Sequence, residues 1–303
     1  MIVSRIDGGL GNQMFQYAYG LYLAQRAETE FYLDISSYEK QPQHGYLLDH
    51  FRIDAEVLPA KLVAKIPRKY RSSVAKVTWL QDRFGLRSLR RHKERDFGFR
   101  SSHLQAGDNR YLVGYWQSEQ FFPRMRDELL KQFALRRNLT AQSQEIGGRM
   151  AESNSVALHV RRGDYVTSQS AAAIYEHLSV DYYHRCLQMW ASQQYRPEVY
   201  IFSNDIAWCR EQFQLEYPTH FVDHTSADTA FEDLWMMQQA ACLVMANSTF
   251  SWWAAWLNQR SGRQVIAPSR WFRPGAMDGS NILCRDWTVA DVDSNQTTPS
   301  KAA

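Results

Sequence analysis

Residues 2–35 read IVSRIDGGLGNQMFQYAYGLYLAQRAETEFYLDI. Positions 2–6 form a short apolar run, Gly8-Gly9-Leu10-Gly11 a tight turn, and positions 12–27 a helical pattern in which Met14, Tyr17, Ala18 and Leu21 share a face. Positions 31–35 predict a second strand. A strand, a glycine turn, a helix and a strand in this order open a β-α-β unit, whose turn leaves N–H groups of the helix start able to meet a ligand. The alternation returns in the second half, with strand patterns at 155–160, 199–202, 221–222, 243–246 and 265–267 separated by helical segments. Regular alternation implies an α/β fold with parallel sheets covered on both faces. In such sheets ligands bind beyond the carboxyl ends of the strands, so the residues there are the candidates for chemistry.

Between the two halves lie an irregular stretch to about residue 58, a basic segment, an aromatic run from Tyr111 through Trp116 to Phe122, and a helix ending near Phe133. Segment 136–154, with Arg, Asn, Ser, Gln and a Gly-Gly pair, reads as a helix or a linker and is taken as the domain boundary. The chain thus divides into 1–150, 151–290 and a tail, 291–303, whose last ten residues, SNQTTPSKAA, look frayed.

Its 303 residues, 45% hydrophobic and 22% charged, have the size and composition of two folded domains and exclude a disordered chain. A net charge of +3 from 35 basic and 32 acidic side chains argues against wholesale binding to nucleic acid. The average hides a contrast: residues 61–95 carry twelve Lys or Arg against Asp82 and Glu94, a local +10, so the rest sums to −7. Apolar residues from Leu62 to Phe84 recur there every three or four positions, interrupted by Pro67. Two readings stay open, a helical pair with a solvated basic face or a helix lying on an anionic membrane leaflet. Cys186, Cys209, Cys242 and Cys284 lack metal-ligand spacing and suit reduced thiols. With no basic-then-apolar leader and no apolar run near the ~20 residues that span a bilayer, the expectation is a cytoplasmic protein, peripheral on the inner membrane face if 61–95 binds lipid.

Three strand ends carry suggestive residues. The first is His159-Val160-Arg161-Arg162-Gly163-Asp164-Tyr165, where paired guanidinium groups offer fork-shaped donors to phosphate oxygens. The plainer reading is an arginine pair that holds a carboxylate or solubilises a loop. The second is Asn247-Ser248-Thr249, opening a helix with an apolar stripe of Phe250, Trp253, Ala254 and Leu257; hydroxyls beside unpaired helix N–H groups make an anion site or an ordinary cap. The third is Phe202-Ser203-Asn204-Asp205, a weaker signal for a ribose or base contact. Glu232 and Asp233 open another helix, where they balance its dipole or read a base edge.

Together with Gly114-Tyr115-Trp116-Gln117-Ser118 and the glycine turn through Ala18, these motifs resemble the bacterial α-1,2-fucosyltransferases of glycosyltransferase family 11, in order from residue 2 to about 270. The resemblance implies two Rossmann-like domains facing a cleft, a GT-B-like fold, with the acceptor side in 1–150 and GDP-fucose bound by 151–290. It implies inverting transfer of L-fucose from GDP-fucose to the 2-hydroxyl of a galactosyl residue, in an oligosaccharide or lipid-linked glycan such as O-antigen, with no bound metal or other cofactor. By the motif, Arg161 is the first choice for the β-phosphate, Arg162 its supporter, and Ser203, Asn204, Asn247, Ser248, Thr249 and Ser251 the remaining donor contacts. Asp164 and Asp7 compete as general base, with diphosphate itself as a proton sink the third route. Asn12, Gln13 and Trp116 are the acceptor-side candidates; the plainer readings are helix capping for the amides and core packing for the indole.

Other readings are weighed and set aside. Gly9-x-Gly11 with Asp34 twenty-three residues on mimics an NAD fingerprint, but Met14 stands where the third glycine belongs. Asp291-Val292-Asp293 mimics a metal-binding DxD in what reads as tail, and His177 and His184 have no third ligand. Another GDP-sugar-dependent transferase and a non-catalytic glycan or nucleotide-binding module are the remaining alternatives.

Overall fold

The computed structural model describes residues 1–39, 45–66, 89–163, 168–193 and 196–293. The chain forms two compact units, Met1–Arg137 and Asn138–Ala303.

In the first unit β1 (Ile2–Arg5), β2 (Phe31–Asp34), β3 (Glu56–Val57), β4 (Arg90–Lys93) and β5 (Arg110–Val113) make one sheet in the order β3-β2-β1-β5-β4, every pairing parallel. Helix α1 (Leu10–Arg26) follows the glycine turn and packs on the sheet, with the Ser4 hydroxyl donating to the Gln16 carbonyl at 2.9 Å. Its burial extends well beyond the single stripe expected. Tyr17 meets Phe31 and Phe133, whereas Tyr19 meets Trp116 and Phe121, so opposite sides of one helix are both enclosed. The other sheet face is covered where Leu58, Ile66 and Leu89 pack on Val3 and Tyr111. Helix α2 (Arg126–Gln132) closes the unit.

The second unit contains β6 (Ser155–Val160), β7 (Glu198–Ser203), β8 (Thr219–Val222), β9 (Cys242–Val244), β10 (Gln264–Pro268) and β11 (Thr288–Ala290), in the order β11-β10-β9-β6-β7-β8, again all parallel. Counted from β6 as strand one, this is 6-5-4-1-2-3, the doubly wound Rossmann order. All six residues of β6 are buried, as a central parallel strand requires. Its helices are α3 (Ala141–Glu152), α4 (Gln169–Ile174), α5 (Val180–Ala191), α6 (Ile206–Gln212), α7 (Ala230–Met237) and α8 (Thr249–Leu257).

Two boundaries differ from the sequence reading. The division falls at 137/138, not at 150, because α3 belongs to the second unit: Ser143, Gly147 and Met150 form a narrow buried stripe, with Trp235 lying over Gly147. So thin a stripe of small and polar residues reads as linker in sequence. The tail also begins later than 291. Strand β11 is followed by Asp293, whose carboxylate accepts from Arg270 Nη2 at 2.7 Å, while Asp291 accepts from Ser269 at 3.2 Å. Asp291 and Asp293 thus sit close after a strand end and serve as local anchors.

Most of the proposed basic helix, residues 67–88, lies outside the described residues, as do 294–303. What is described is a 3₁₀ segment, Ala60–Lys65, and edge strand β4, whose Arg90, Arg91 and Lys93 are exposed. Charged side chains on an edge blunt strand-to-strand association. Among the described residues no helix is long and apolar enough to cross a membrane. The four cysteines are buried and form no disulfide among the described residues, and burial pushes the Cys186 thiol up to about 12.

Candidate active site

Strand order in the second sheet reverses between β6 and β9, so the ends of these two strands flank the crevice a ligand would enter. The three residues after β6 divide their roles. Arg162 lies against the end of β7 and the helix after it: its backbone N–H donates to Asn204 Oδ1 at 3.0 Å, its Nε lies 3.3 Å from Asp205 Oδ2, and its guanidinium stacks 4.1 Å over Trp208. Gly163 is required by the same network, since a Cβ there would come within 2.1 Å of Asn204 Nδ2. Ser203 Oγ accepts from the Asp205 N–H at 3.0 Å, and Asp205 caps α6. Arg162, Ser203, Asn204 and Asp205 thus tie the ends of β6 and β7 together. Arg161 stands half-buried at the crevice. Asp164 lies outside the described residues.

His159 is buried within β6 against Phe250, at 5.6 Å between ring centres. Burial, reinforced by the Arg161 charge, lowers its pKa to about 3, so the imidazole is neutral and takes no proton at neutral pH.

After β9, Asn247 is almost fully buried and its Nδ2 donates to the Glu176 and Trp271 carbonyls, both at 2.8 Å. Ser251 donates to the Ala246 and Ser248 carbonyls at 3.2 Å. Both side chains hold the strand-to-helix turn and the two loops beside it. Ser248 is the N-cap of α8, its Oγ accepting from the Phe250 N–H at 3.3 Å, and Thr249 is the first helical residue, half-exposed. Behind them Trp252, Trp253 and Trp256 pack edge-on and stacked, so this helix start is rigidly backed. Past β8, burial pushes the Asp233 carboxyl up to about 7, against a 2.8 Å hydrogen bond from Thr225 and with the charge of Glu232 adding to the rise. Glu232 itself accepts from Thr140 Oγ1 at 2.6 Å and is structural.

The carboxyl edge of the first sheet can be described in its own right. Gly8 adopts φ +80°, which turns the chain from β1 into α1. Neither Asn12 nor Gln13 caps that helix; Gly9 is the N-cap. Gln13 is fully buried, donating to the Gly8 and Gly45 carbonyls at 3.0 and 2.8 Å and accepting from the Leu47 N–H at 2.9 Å, so it braces the glycine turn. Asn12 Oδ1 accepts from Gln117 Nε2 at 2.9 Å. Asp7 is half-exposed, 3.4 Å from Arg5, with its own N–H held by Gln16 at 2.8 Å. Trp116, expected to face a sugar, is fully buried and stacked on His92 at 5.3 Å. Its neighbour Tyr115 is exposed. Sequence reasoning missed Tyr115, and missed Glu94 beneath it, which stood out only as one of two acids in a basic run.

Residues 2–289 match the family model "Glycosyl transferase family 11". The chain belongs to glycosyltransferase family 11. It is 30% identical over 293 residues to the alpha-1,2-colitosyltransferase of Escherichia coli, covering 95% of this chain and 98% of that one. Identity to galactoside alpha-(1,2)-fucosyltransferase 2 of Sus scrofa is 29% over 262 residues, 82% of this chain and 67% of that one. Among solved structures, NodZ alpha-1,6-fucosyltransferase co-crystallized with GDP shares the fold, with TM-score 0.51, 15% identity, and coverage of 84% of this chain and 91% of that one.

This family 11 transferase therefore has a GT-B-type fold, two Rossmann-like parallel-sheet units in one chain. Its second sheet brings Arg161 and the start of α8, with Ser248 and Thr249, to one switch point. A guanidinium fork and a helix N-terminus are the two groups a protein most readily offers to a diphosphate. The remaining motif residues build the frame that holds them there.

Proposed function

We propose that the protein is an inverting galactoside α-1,2-fucosyltransferase that uses GDP-fucose and needs no metal. The observation that carries this reading is the placement of Arg161 and the N-terminus of α8 at the β6/β9 switch point of a Rossmann-ordered sheet in a family 11 chain. The acceptor 2-oxygen bonds to C1 of fucose from the face opposite GDP as the bond from C1 to the β-phosphate oxygen breaks. Charge then grows on the departing diphosphate, and charge-assisted hydrogen bonds of about 1.5–3 kcal/mol each from Arg161 and the helix start stabilise it. The acceptor proton passes to a carboxylate, Asp7 or Asp164, or to the diphosphate. The donor preference among 6-deoxy-L-sugars carries a second reading, because the 30% identical relative is named for colitose, which is fucose without its 3-hydroxyl. The exposed charges of β4 support a further element of the proposal, contact of segment 61–95 with an anionic leaflet that presents a lipid-linked glycan.

The test is GDP release from GDP-fucose with lactose as acceptor in the presence of chelator. Wild type turns over; Arg161→Ala loses about 10–100-fold or more in kcat/KM with little change in Tm. Arg162→Ala lowers Tm, since it opens the Asp205 and Trp208 contacts. A requirement for added divalent metal, or equal rates with GDP-mannose, overturns the assignment; faster turnover of GDP-colitose selects the second reading.

A further inference from the structure

In the first sheet β1 and β5 run parallel side by side at its centre, so the residues that follow them lie along one carboxyl edge. Open parallel sheets take their ligands beyond the carboxyl ends of the strands. Asp7 lies two residues past the end of β1, and Tyr115 two residues past the end of β5. Tyr115 is 41% exposed, the one aromatic so exposed among the described residues. Burial raises its pKa, and the Asp7 charge raises it further. A ring with an open surface and a polar tip, on the same sheet edge as a carboxylate, has the form of a sugar platform. The apolar body meets pyranose C–H groups, and the polar groups take its hydroxyls.

The backbone beneath is built to present that ring. Gly114 lies so close to Glu94 that a Cβ would fall 2.5 Å from the Glu94 Cβ. The Glu94 carboxylate accepts the Tyr115 N–H at 2.7 Å and the Trp116 N–H at 3.3 Å. Trp116 takes the left-handed conformation, φ 57°, and turns its indole down onto His92 and Tyr19. The surrounding ring packing and the Glu94 hydrogen bonds offset the strain of a non-glycine residue held there. One aromatic goes in so that its neighbour goes out.

We infer that Tyr115 is the platform for the acceptor galactosyl ring, with Asp7 beside it to take a sugar hydroxyl and Glu94 as the positioning residue that presents it. The inference rests on the fucosyl-transfer reading above and names the acceptor side of that reaction.

Steady-state kinetics with lactose and GDP-fucose test it. Tyr115→Ala is expected to raise the lactose KM at least tenfold more than the GDP-fucose KM, and Tyr115→Phe, which keeps the ring, no more than about threefold. Glu94→Gln is expected to show the same split in a smaller degree, a pattern that mere destabilisation does not produce. If Tyr115→Ala melts early, Tyr115→Leu removes the ring while keeping bulk. A folded ring-less variant with the wild-type lactose KM, or with both KM values raised equally, overturns the platform. Should wild type turn over no GDP-fucose, the functional reading fails instead. Saturation-transfer NMR of lactose on wild type and Tyr115→Ala then decides the platform separately: loss of transfer in the variant supports it, and equal transfer refutes it.

Discussion

Asp233 illustrates how one side chain ties the candidate site to the stability of the fold. Its folded-state pKa, pushed up to about 7 by burial, lies above the ordinary carboxyl range. The protonated form is therefore favoured by folding, and the stability this supplies is full in acid and lost as pH rises through 7. Asp233→Asn, neutral throughout, is expected to stabilise the protein at pH 8 more than at pH 5, by about 2 kcal/mol between the two. Urea unfolding at both pH values measures this; a pH-independent effect would mean that Asp233 is already ionised in the native state. The motif residues were legible in sequence but their hydrogen-bond partners were not, because a motif does not say which member of a polar cluster faces inward. That choice is made by backbone pairing, as when Asn204 takes the Arg162 N–H.

At the scale of elements, α3 is held to the second unit by its first turn. Thr140 Oγ1 accepts from the Ser143 N–H at 3.3 Å and donates to Glu232 at 2.6 Å, while Ser143 Oγ pairs with His224 Nε2 at 2.7 Å. Thr140→Ala removes a cap and leaves Glu232, almost fully buried, without its hydroxyl partner. The expected loss is about 2 kcal/mol in chemical denaturation, recovered by Thr140→Ser; a loss under about 0.5 kcal/mol would show that the cap contributes little. Five of the six strands of the second sheet were legible, since buried parallel strands are apolar runs, but only β1 and β2 of the five in the first. Strand β4, RRHK, was not, because an edge strand carries charge where a buried strand carries Val or Ile. Strand β11 was missed for its brevity, three residues recognised only by pairing with β10.

For the whole molecule the charge is divided as the sequence arithmetic says, +10 within 61–95 and −7 elsewhere. If the segment lies on an anionic leaflet, cosedimentation with vesicles containing phosphatidylglycerol is expected at low salt and falls steeply as salt rises, at roughly 1 kcal/mol per engaged basic residue. Reversal of Arg90, Arg91, Lys93 and Arg95 should abolish it. Binding that survives the reversal, or its absence in wild type, leaves the basic face simply solvated.

The β-α-β opening at 2–35, the alternating second half and the motif order were enough to set the fold class and the family, because hydrophobic periodicity and glycine placement are local properties of the chain. Which strand neighbours which, and hence which residues lie together along a carboxyl edge, depends on pairings between residues far apart, such as β6 with β9 and β1 with β5. Those pairings set Arg161 just past the end of β6, beside β9, and joined Arg162 to Asn204 and Asp205. They also buried Trp116 and exposed Tyr115, a reversal between adjacent aromatics that follows from a left-handed backbone at Trp116 and from Glu94 across the sheet edge.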